Sequence, residues 1–345
     1  MNLTKLILVV LSLTLTTCVS RSQNMTVTLG TGGLFTIKDA SNNYLTLNQS
    51  TGQIRLLGSL RLDLTGTSST TGVIFKGTNR FLHDFRSSGS WGDNIFIGLY
   101  SGNFSMSGSG FYSSENTGVG FSSLTNLTTG YCNSAVGWRS LTSTTTGHHN
   151  SAFGHQSGAN INSGSNLTCL GYNAQPTSSS ATNQITLGDN YVTLLRCKVT
   201  TITALSDARD KKNIKDLNLG LDFLMKLKPR LFNWDRRDWY EDNKSDGSKM
   251  EEELTAGFIA QELDDVQKTQ NAEWLNLVVN DNPDKLEATP GNLFPIMVKA
   301  IQELKIENDE LKEKLAKFEQ MQNYLANEIE KLKSKEGEIL KTGSK

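Results

Sequence analysis

This 345-residue chain has no excess of charge of either sign: 34 Lys and Arg stand against 35 Asp and Glu, a formal net charge of -1. No basic stripe appears, so a partner held by phosphate neutralisation is excluded and no nucleic acid is expected. Apolar residues are scarce as well. A hydrophobic fraction of 37% is low for one large core in a chain of this length, so apolar surface must be buried some other way. Long hydrophobic runs are missing beyond Leu6 to Leu15, which is too short to cross a bilayer, and no membrane span is expected. Cysteine is sparse and irregularly placed. After Cys18 there remain Cys132, Cys169 and Cys197, which form neither a disulfide framework nor a zinc pattern and read as small buried or half-exposed thiols.

What is present begins with an export signal over residues 1–22. Lys5 supplies the charge, Leu6 to Leu15 the apolar core, and Thr16 to Gln23 a small, polar exit with cleavage after Ser20 or Ser22. Leu15-Thr16-Thr17-Cys18 also resembles a lipoprotein box, so a lipid anchor at Cys18 stays open beside plain secretion. Either way the expected location is secreted or at the cell surface. Asn-x-Ser/Thr triplets, as at Asn48, Asn126 and Asn166, are expected by chance in so Asn-, Ser- and Thr-rich a chain.

Charge divides the remainder. From Asn94 to Gly188 only Glu115 and Arg139 are charged, whereas the chain after Ser206 is dense in Lys, Glu and Asp, which predicts a boundary near residue 205. Residues 23–93 alternate as short strands between Gly, Asn and Ser turns, for example Thr26 to Leu29 and Asn43 to Leu47, a β-rich stalk suited to pairing between chains. Over 94–205, Gly120, Gly137, Gly154, Gly171 and Gly188 recur every 17 residues, with Gly130, Gly147 and Gly164 at the same period. Asn116, Asn133, Asn150 and Asn166 keep step within one residue. This is a β-solenoid signal: each unit supplies a few inward Val, Phe, Leu and Ala side chains, Gly where the backbone turns tightly, and Asn and Ser at corners. A single unit cannot bury itself, so stacked coils, and three columns packed together, are expected. Through Asn133-Ser134-Ala135-Val136-Gly137 and the Thr-Thr-Gly turn that follows, the region resembles the β-roll heads of trimeric autotransporter adhesins.

From Pro295 the period becomes helical. Phe294, Ile301, Asn308, Leu315, Gln322 and Ile329 share one heptad position, and Met297, Leu304, Leu311, Phe318, Leu325 and Leu332 the other, which predicts a coiled coil over 293–335 and a flexible tail over 336–345. Polar Asn308 and Gln322 at core positions suit a device that sets register and strand number. A trimer matches the β-roll.

Between these regions stands Ser206-Asp207-Ala208-Arg209-Asp210-Lys211-Lys212-Asn213-Ile214. Three blocks follow it: Gly220-Leu221-Asp222-Phe223 leading to Leu227-Lys228-Pro229 and Phe232-Asn233-Trp234; Gly257 to Leu263; and Pro295 to Leu304. In this order they resemble the S74 peptidase family, the intramolecular chaperones of endosialidase tailspikes and of myelin regulatory factor-like proteins, over residues 206 to about 320. The resemblance implies an α+β chaperone and autoprocessing domain over 206–292 that guides trimerisation and then cuts the Leu205-Ser206 bond. Ser206 would be the nucleophile and Lys211 the base, with Asn213 and Asp207 as oxyanion or supporting groups. A lysine can take a hydroxyl proton once burial lowers its pKa. From the residues alone, Ser206-Asp207 also reads as a helix N-cap, and Lys212 competes as the base. Asp210 stands where many relatives carry an apolar residue.

The expected architecture is thus mainly β, a trimeric β-solenoid or β-roll fibre followed by an α+β chaperone domain and a trimeric coiled coil. Expected partners are two further copies of the chain and a cell-surface glycan or protein; no cofactor and no metal are expected. A rival reading is a structural fibre or adhesin that keeps its trimerisation domain attached. A glycosidase would need two carboxylates flanking the bond, and Glu115 alone is available in the repeats. His148, His149 and His155 read as turn residues rather than as metal ligands.

Overall fold

The computed structural model describes residue 29 and residues 31–67, 71–198 and 202–342. The segment expected to be an export signal, including Cys18, lies outside the described residues. The described residues fall into two compact units, the first reaching residue 65 with 71–72 and the second comprising 66–67 and those from 73 onward, so the stretch 23–93 is shared between them.

The first unit is an antiparallel meander of β1 (Leu34–Lys38), β2 (Asn43–Asn48) and β3 (Gln53–Leu56), with Phe35 opposite Leu47 and Thr46 opposite Arg55. Asp39 makes its first turn, accepting the Ser41 and Asn42 N–H groups at 2.7 Å each. Leu34, Ile37, Leu47 and Ile54 remain exposed.

In the second unit the alternating strands and the 17-residue repeats form one eight-stranded sheet. Its members are β4 (Ile74–Lys76), β5 (Asn79–His83), β6 (Ile95–Ile97), β7 (Thr117–Val119), β8 (Ser134–Val136), β9 (Ser151–Phe153), β10 (Ser165–Leu170) and β11 (Thr182–Leu187), paired in chain order. β4, β5 and β6 pair antiparallel, and β6 through β11 pair parallel, one strand per coil. This is a β-solenoid. Ala135 lies opposite Ala152, one repeat on, but Phe96 pairs with Gly118, so the first coil is longer than the rest.

The centre residue of each strand points inward. Phe96, Ala135, Ala152 and Cys169 are buried in one column, and Leu124, Leu127, Leu141 and Ile161 fill the space beside it. Gly118 completes the column because a Cβ there would collide with the Phe96 ring and Ser101 Oγ. At Gly120, Gly137, Gly154 and Gly171 the backbone takes φ of 129°, 137°, 136° and 115°, and a Cβ at any of the first three would strike the carbonyl of the glycine one coil on.

Asparagines line the interior rather than the corners. Asn94, Asn116, Asn133 and Asn150 are fully buried, and each Oδ1 accepts the backbone N–H one coil ahead, at 2.9 Å for Asn116 and 3.1 Å for Asn133, Asn150 and Leu167. The amides of Asn116, Asn133 and Asn150 donate to the Gly130, Gly147 and Gly164 carbonyls, and that of Asn94 to the Phe85 and Ser113 carbonyls. Asn166 does not belong to this row. Leu167 occupies the equivalent place, and Asn166 is an exposed residue near the start of β10 at φ 54°. Ser101, Ser123, Ser140 and Ser157 form a second buried polar row, tied to one another and to carbonyls of neighbouring coils.

The antiparallel hairpin closes the first coil. Arg80 donates to the Ser101 and Tyr100 carbonyls at 3.3 Å and to that of Gly102. His83, buried between Phe96 and Phe104, is 2.9 Å from the Ser101 carbonyl through Nε2, while its Nδ1 accepts the Phe85 N–H.

The C-terminal domain begins with a short 3-10 turn, Ala208–Asp210, followed by α1 (Leu221–Leu224), β12 (Arg230–Asn233), β13 (Leu254–Gly257), α2 (Ala260–Thr269), β14 (Val278–Val279), β15 (Glu287–Ala288) and α3 (Phe294–Thr342). β12 and β13 form one antiparallel pair and β14 and β15 another. Phe223, Leu263, Leu277, Leu293 and Ile296 share a small core that fixes α1 and α2 against the start of α3. α3 runs past residue 335, where a flexible tail was expected, because its Lys- and Glu-rich end is made of good helix formers. Beyond Ala300 its apolar heptad positions, Ile301 to Leu332, are exposed. Among the described residues no helix is long and apolar enough to cross a membrane.

Candidate functional site

Residues 202–207, which hold the Leu205-Ser206 bond, carry no regular secondary structure, and Leu205 is fully exposed. The chain then tightens at once into the 3-10 turn. Asp207, not Ser206, caps it: its Oδ1 accepts the Arg209 N–H at 2.9 Å, and its carboxylate pairs with the Arg209 guanidinium at 2.6 Å. The Arg209 side chain therefore holds the Asp207 carboxyl below its usual range. An anion so engaged cannot donate to an oxyanion, which leaves Asp207 a supporting role as the cap.

The turn has a consequence for Lys211. With the Lys211 N–H bonded to the Ala208 carbonyl at 3.2 Å, the chain has doubled back enough for Lys211 Nζ to reach Ser206 Oγ at 2.6 Å. The five-residue spacing thus places the two proposed reacting groups in hydrogen-bond contact. No hydrogen bond joins Lys212 to Ser206 among the described residues. Asn213 stands at φ 53° and has no hydrogen bond to Ser206, so the structure does not bring it to the pair. Ser206 and Lys211 are both exposed. A free lysine ammonium donates; acting as a base requires loss of its proton, which desolvation favours.

The sequence from Ser206 to Asn271 matches the model of one protein family, Peptidase S74, described as chaperone of endosialidase. This part of the chain is similar to the chaperone-of-endosialidase family. The match starts on Ser206 itself and stops short of the Pro295–Leu304 block. No curated protein and no solved structure matches the chain.

Inside the chaperone-of-endosialidase segment the recurring blocks are mostly structural. Gly220 opens α1, and Glu303 of α3 accepts the Leu221 N–H at 2.7 Å; a Cβ on Gly220 would collide with that carboxylate. Phe223 and Leu263 are core residues, and Arg230 of β12 donates through Nε to Glu262 of α2 at 3.0 Å. Glu303 was not visible from the sequence, since its partner lies 82 residues away.

The other candidate groups are engaged elsewhere. Glu115 accepts the Cys132 thiol at 3.0 Å, and burial, reinforced by that carboxylate, pushes the thiol up to about 11. Cys169 sits in the core column, where burial likewise raises its thiol to about 11. His148 stacks on Tyr131 at 4.7 Å. His155 lies between Trp138 at 4.5 Å and Tyr172 at 5.3 Å, and Phe121 extends the same row of rings, one per coil. Among the described residues no three His, Cys, Asp or Glu side chains are placed to hold a metal ion.

Proposed function

We propose that the chain is a secreted trimeric fibre whose C-terminal domain drives assembly and then removes itself by cutting the Leu205-Ser206 bond. The observation that carries this reading is the 2.6 Å contact between Lys211 Nζ and Ser206 Oγ, on the first residue of the family match and beside the exposed Leu205. Lys211 takes the hydroxyl proton as Ser206 Oγ attacks the Leu205 carbonyl carbon. The C–N bond then breaks, the Ser206 nitrogen receives the proton, and an ester joins Leu205 to Oγ. Water hydrolyses the ester, leaving a Leu205 carboxylate and a free Ser206 amine. Each chain does this once.

Assembly follows from surfaces a single chain leaves bare. The apolar heptad stripe of α3 is exposed from Ile301 to Leu332, and Phe153, Leu170 and Leu187 form an exposed column on the outer face of the solenoid. A three-stranded coiled coil and three packed solenoids cover both. Packing of copies around residue 206 also supplies the burial that Lys211 lacks in one chain. The outer surface, rich in Ser, Thr and Asn, suits a cell-surface glycan or protein.

The exposure of the Ser206–Lys211 pair favours a second reading, a fibre that retains the domain uncut. Intact mass spectrometry of wild type, Ser206→Ala and Lys211→Ala decides between them. Fragments ending at Leu205 and starting at Ser206 in the wild type alone support processing; a whole wild-type chain in a trimer supports the retained domain.

A further inference from the structure

The end of the solenoid and the C-terminal domain have separate cores. Leu167, Ala174 and Ala181 belong to one, Phe223, Leu263 and Val278 to the other, and no buried residue is common to both. Hydrogen bonds between exposed side chains join them. Gln184 Nε2 donates to Asp281 Oδ2 at 3.0 Å, and Thr177 Oγ1 donates to the same oxygen at 3.3 Å. Asn190 Nδ2 donates to Asp238 Oδ2 at 2.9 Å, and Lys285 Nζ reaches Asn190 Oδ1 at 3.5 Å. Gln184 is held ready for Asp281, since its own Oε1 accepts the Thr177 N–H at 3.1 Å. Beside these contacts runs an open cleft of about 670 Å³, with Asn160, Asn173 and Gln175 on the solenoid side and Asn282 and Glu287 on the other.

We propose that Asp281 is a latch residue that holds the C-terminal domain on the last coil, so that cutting the chain does not by itself free the domain. The covalent tether makes none of these contacts. Residues 192–198 and 202–207 carry no regular secondary structure, and Leu194, Leu195, Ile202 and Leu205 are exposed, so a cut there removes the tether and leaves the interface intact. Bonds to a carboxylate are charge-assisted and stronger than neutral ones, and among the described residues Asp281 is the interface group that two solenoid side chains reach, Gln184 Nε2 at 3.0 Å and Thr177 Oγ1 at 3.3 Å. With no apolar core beneath it, such a contact should be reversible, and its lifetime should depend on that carboxylate. Hydrolysis and release are then two steps with separate controls. The inference rests on the proposed processing only for how the tether is cut.

The test cuts the full-length protein in two ways. Wild type is left to process itself, and Ser206→Ala is nicked by chymotrypsin at the exposed leucines of the tether; size-exclusion chromatography over time then follows residues 206–345 away from the solenoid. The fragments should co-elute at first in both, with release about tenfold faster in Asp281→Ala and less accelerated in Asp281→Asn, which keeps the shape and one acceptor. Circular dichroism should show unchanged secondary structure in both variants. Immediate separation on cutting, or equal release rates in wild type and Asp281→Ala, would overturn the latch. A wild type that never cuts itself but whose nicked counterpart shows the Asp281 dependence would remove the processing reading and leave the latch standing.

Discussion

Asn133 bonds to Asn116 twice across one coil: its backbone N–H and its side-chain amide both donate to Asn116 Oδ1, at 3.1 and 3.0 Å. The same side chain then donates to the Gly147 carbonyl and accepts the Asn150 N–H. One buried residue thereby satisfies polar groups on three successive turns, something a solvent-facing corner residue could not do.

Replacing Asn133 by Leu removes the side-chain amide and leaves the Asn150 N–H and the Gly147 carbonyl without those partners in a dry interior. The expected cost is about 2–4 kcal/mol, read as a lower unfolding midpoint in denaturant. Position 167, where the row already ends in Leu, shows that the shape is tolerated once no further Asn depends on it.

Gly137→Ala should be worse than its size suggests. The backbone there has φ 137° and the Gly154 carbonyl lies where the methyl would go, so neither the conformation nor the space is available. A loss of about 3 kcal/mol or more, or failure to fold, is expected. Gly58→Ala, which meets open space, serves as the control and should be near neutral in the same thermal melts.

His83 makes the closed end of the solenoid sensitive to acid. Burial pushes its imidazole down to about 4, whereas an unfolded histidine titrates near 6.5. The unfolded chain therefore binds the proton first. The stabilisation is complete above pH ~6.5 and is lost as pH falls through about 4, by roughly 3 kcal/mol in all. Denaturant titrations at pH 7 and pH 4 should show this difference, and His83→Phe should reduce it.

If Lys211 is the base, Lys211→Ala should slow processing by about 100-fold or more, while Lys212→Ala should leave it near wild type. A time course on denaturing gels reads both.

Leu315→Asp with Phe318→Asp places charge at both apolar positions of the α3 stripe. If copies associate there, sedimentation analysis should show loss of the assembled species, and processing should fall with it, since the pair at residue 206 would lose its burial.

The parts of this molecule that were legible in the sequence are those that repeat locally. The glycine period announced the solenoid because a positive φ and a close backbone approach recur once per coil and only glycine meets both. At Ser206 spacing alone left Lys211 and Lys212 both open as partners, and only the resemblance singled out Lys211; it is the 3-10 turn that brings Lys211 Nζ to 2.6 Å from Ser206 Oγ. What escaped was set by distance or by interruption. Asn94 opens the Asn row but stands 22 residues before Asn116, so the lengthened first coil hid it from a 17-residue search. Asn166 was grouped with the row because one residue of slip looks small in a sequence, yet it moves a side chain from the interior to the surface. The Glu303 contact with α1 and the Asp281 contact with Gln184 join residues far apart in the chain, and no local pattern marks either.

The Asn row behaves like a thread with a fixed pitch. Between Asn116 and Asn150 every coil offers its neighbour the same acceptor, the same glycine carbonyl and the same glycine whose missing Cβ leaves room for the next coil's backbone. An in-frame duplication of residues 133–149 therefore inserts a coil that fits both of its new neighbours and lengthens the column by one strand spacing, about 4.8 Å. No such insertion is neutral after Leu167, where the thread has run out. The gene can thus measure its product in whole coils over one stretch of the solenoid and not over the rest.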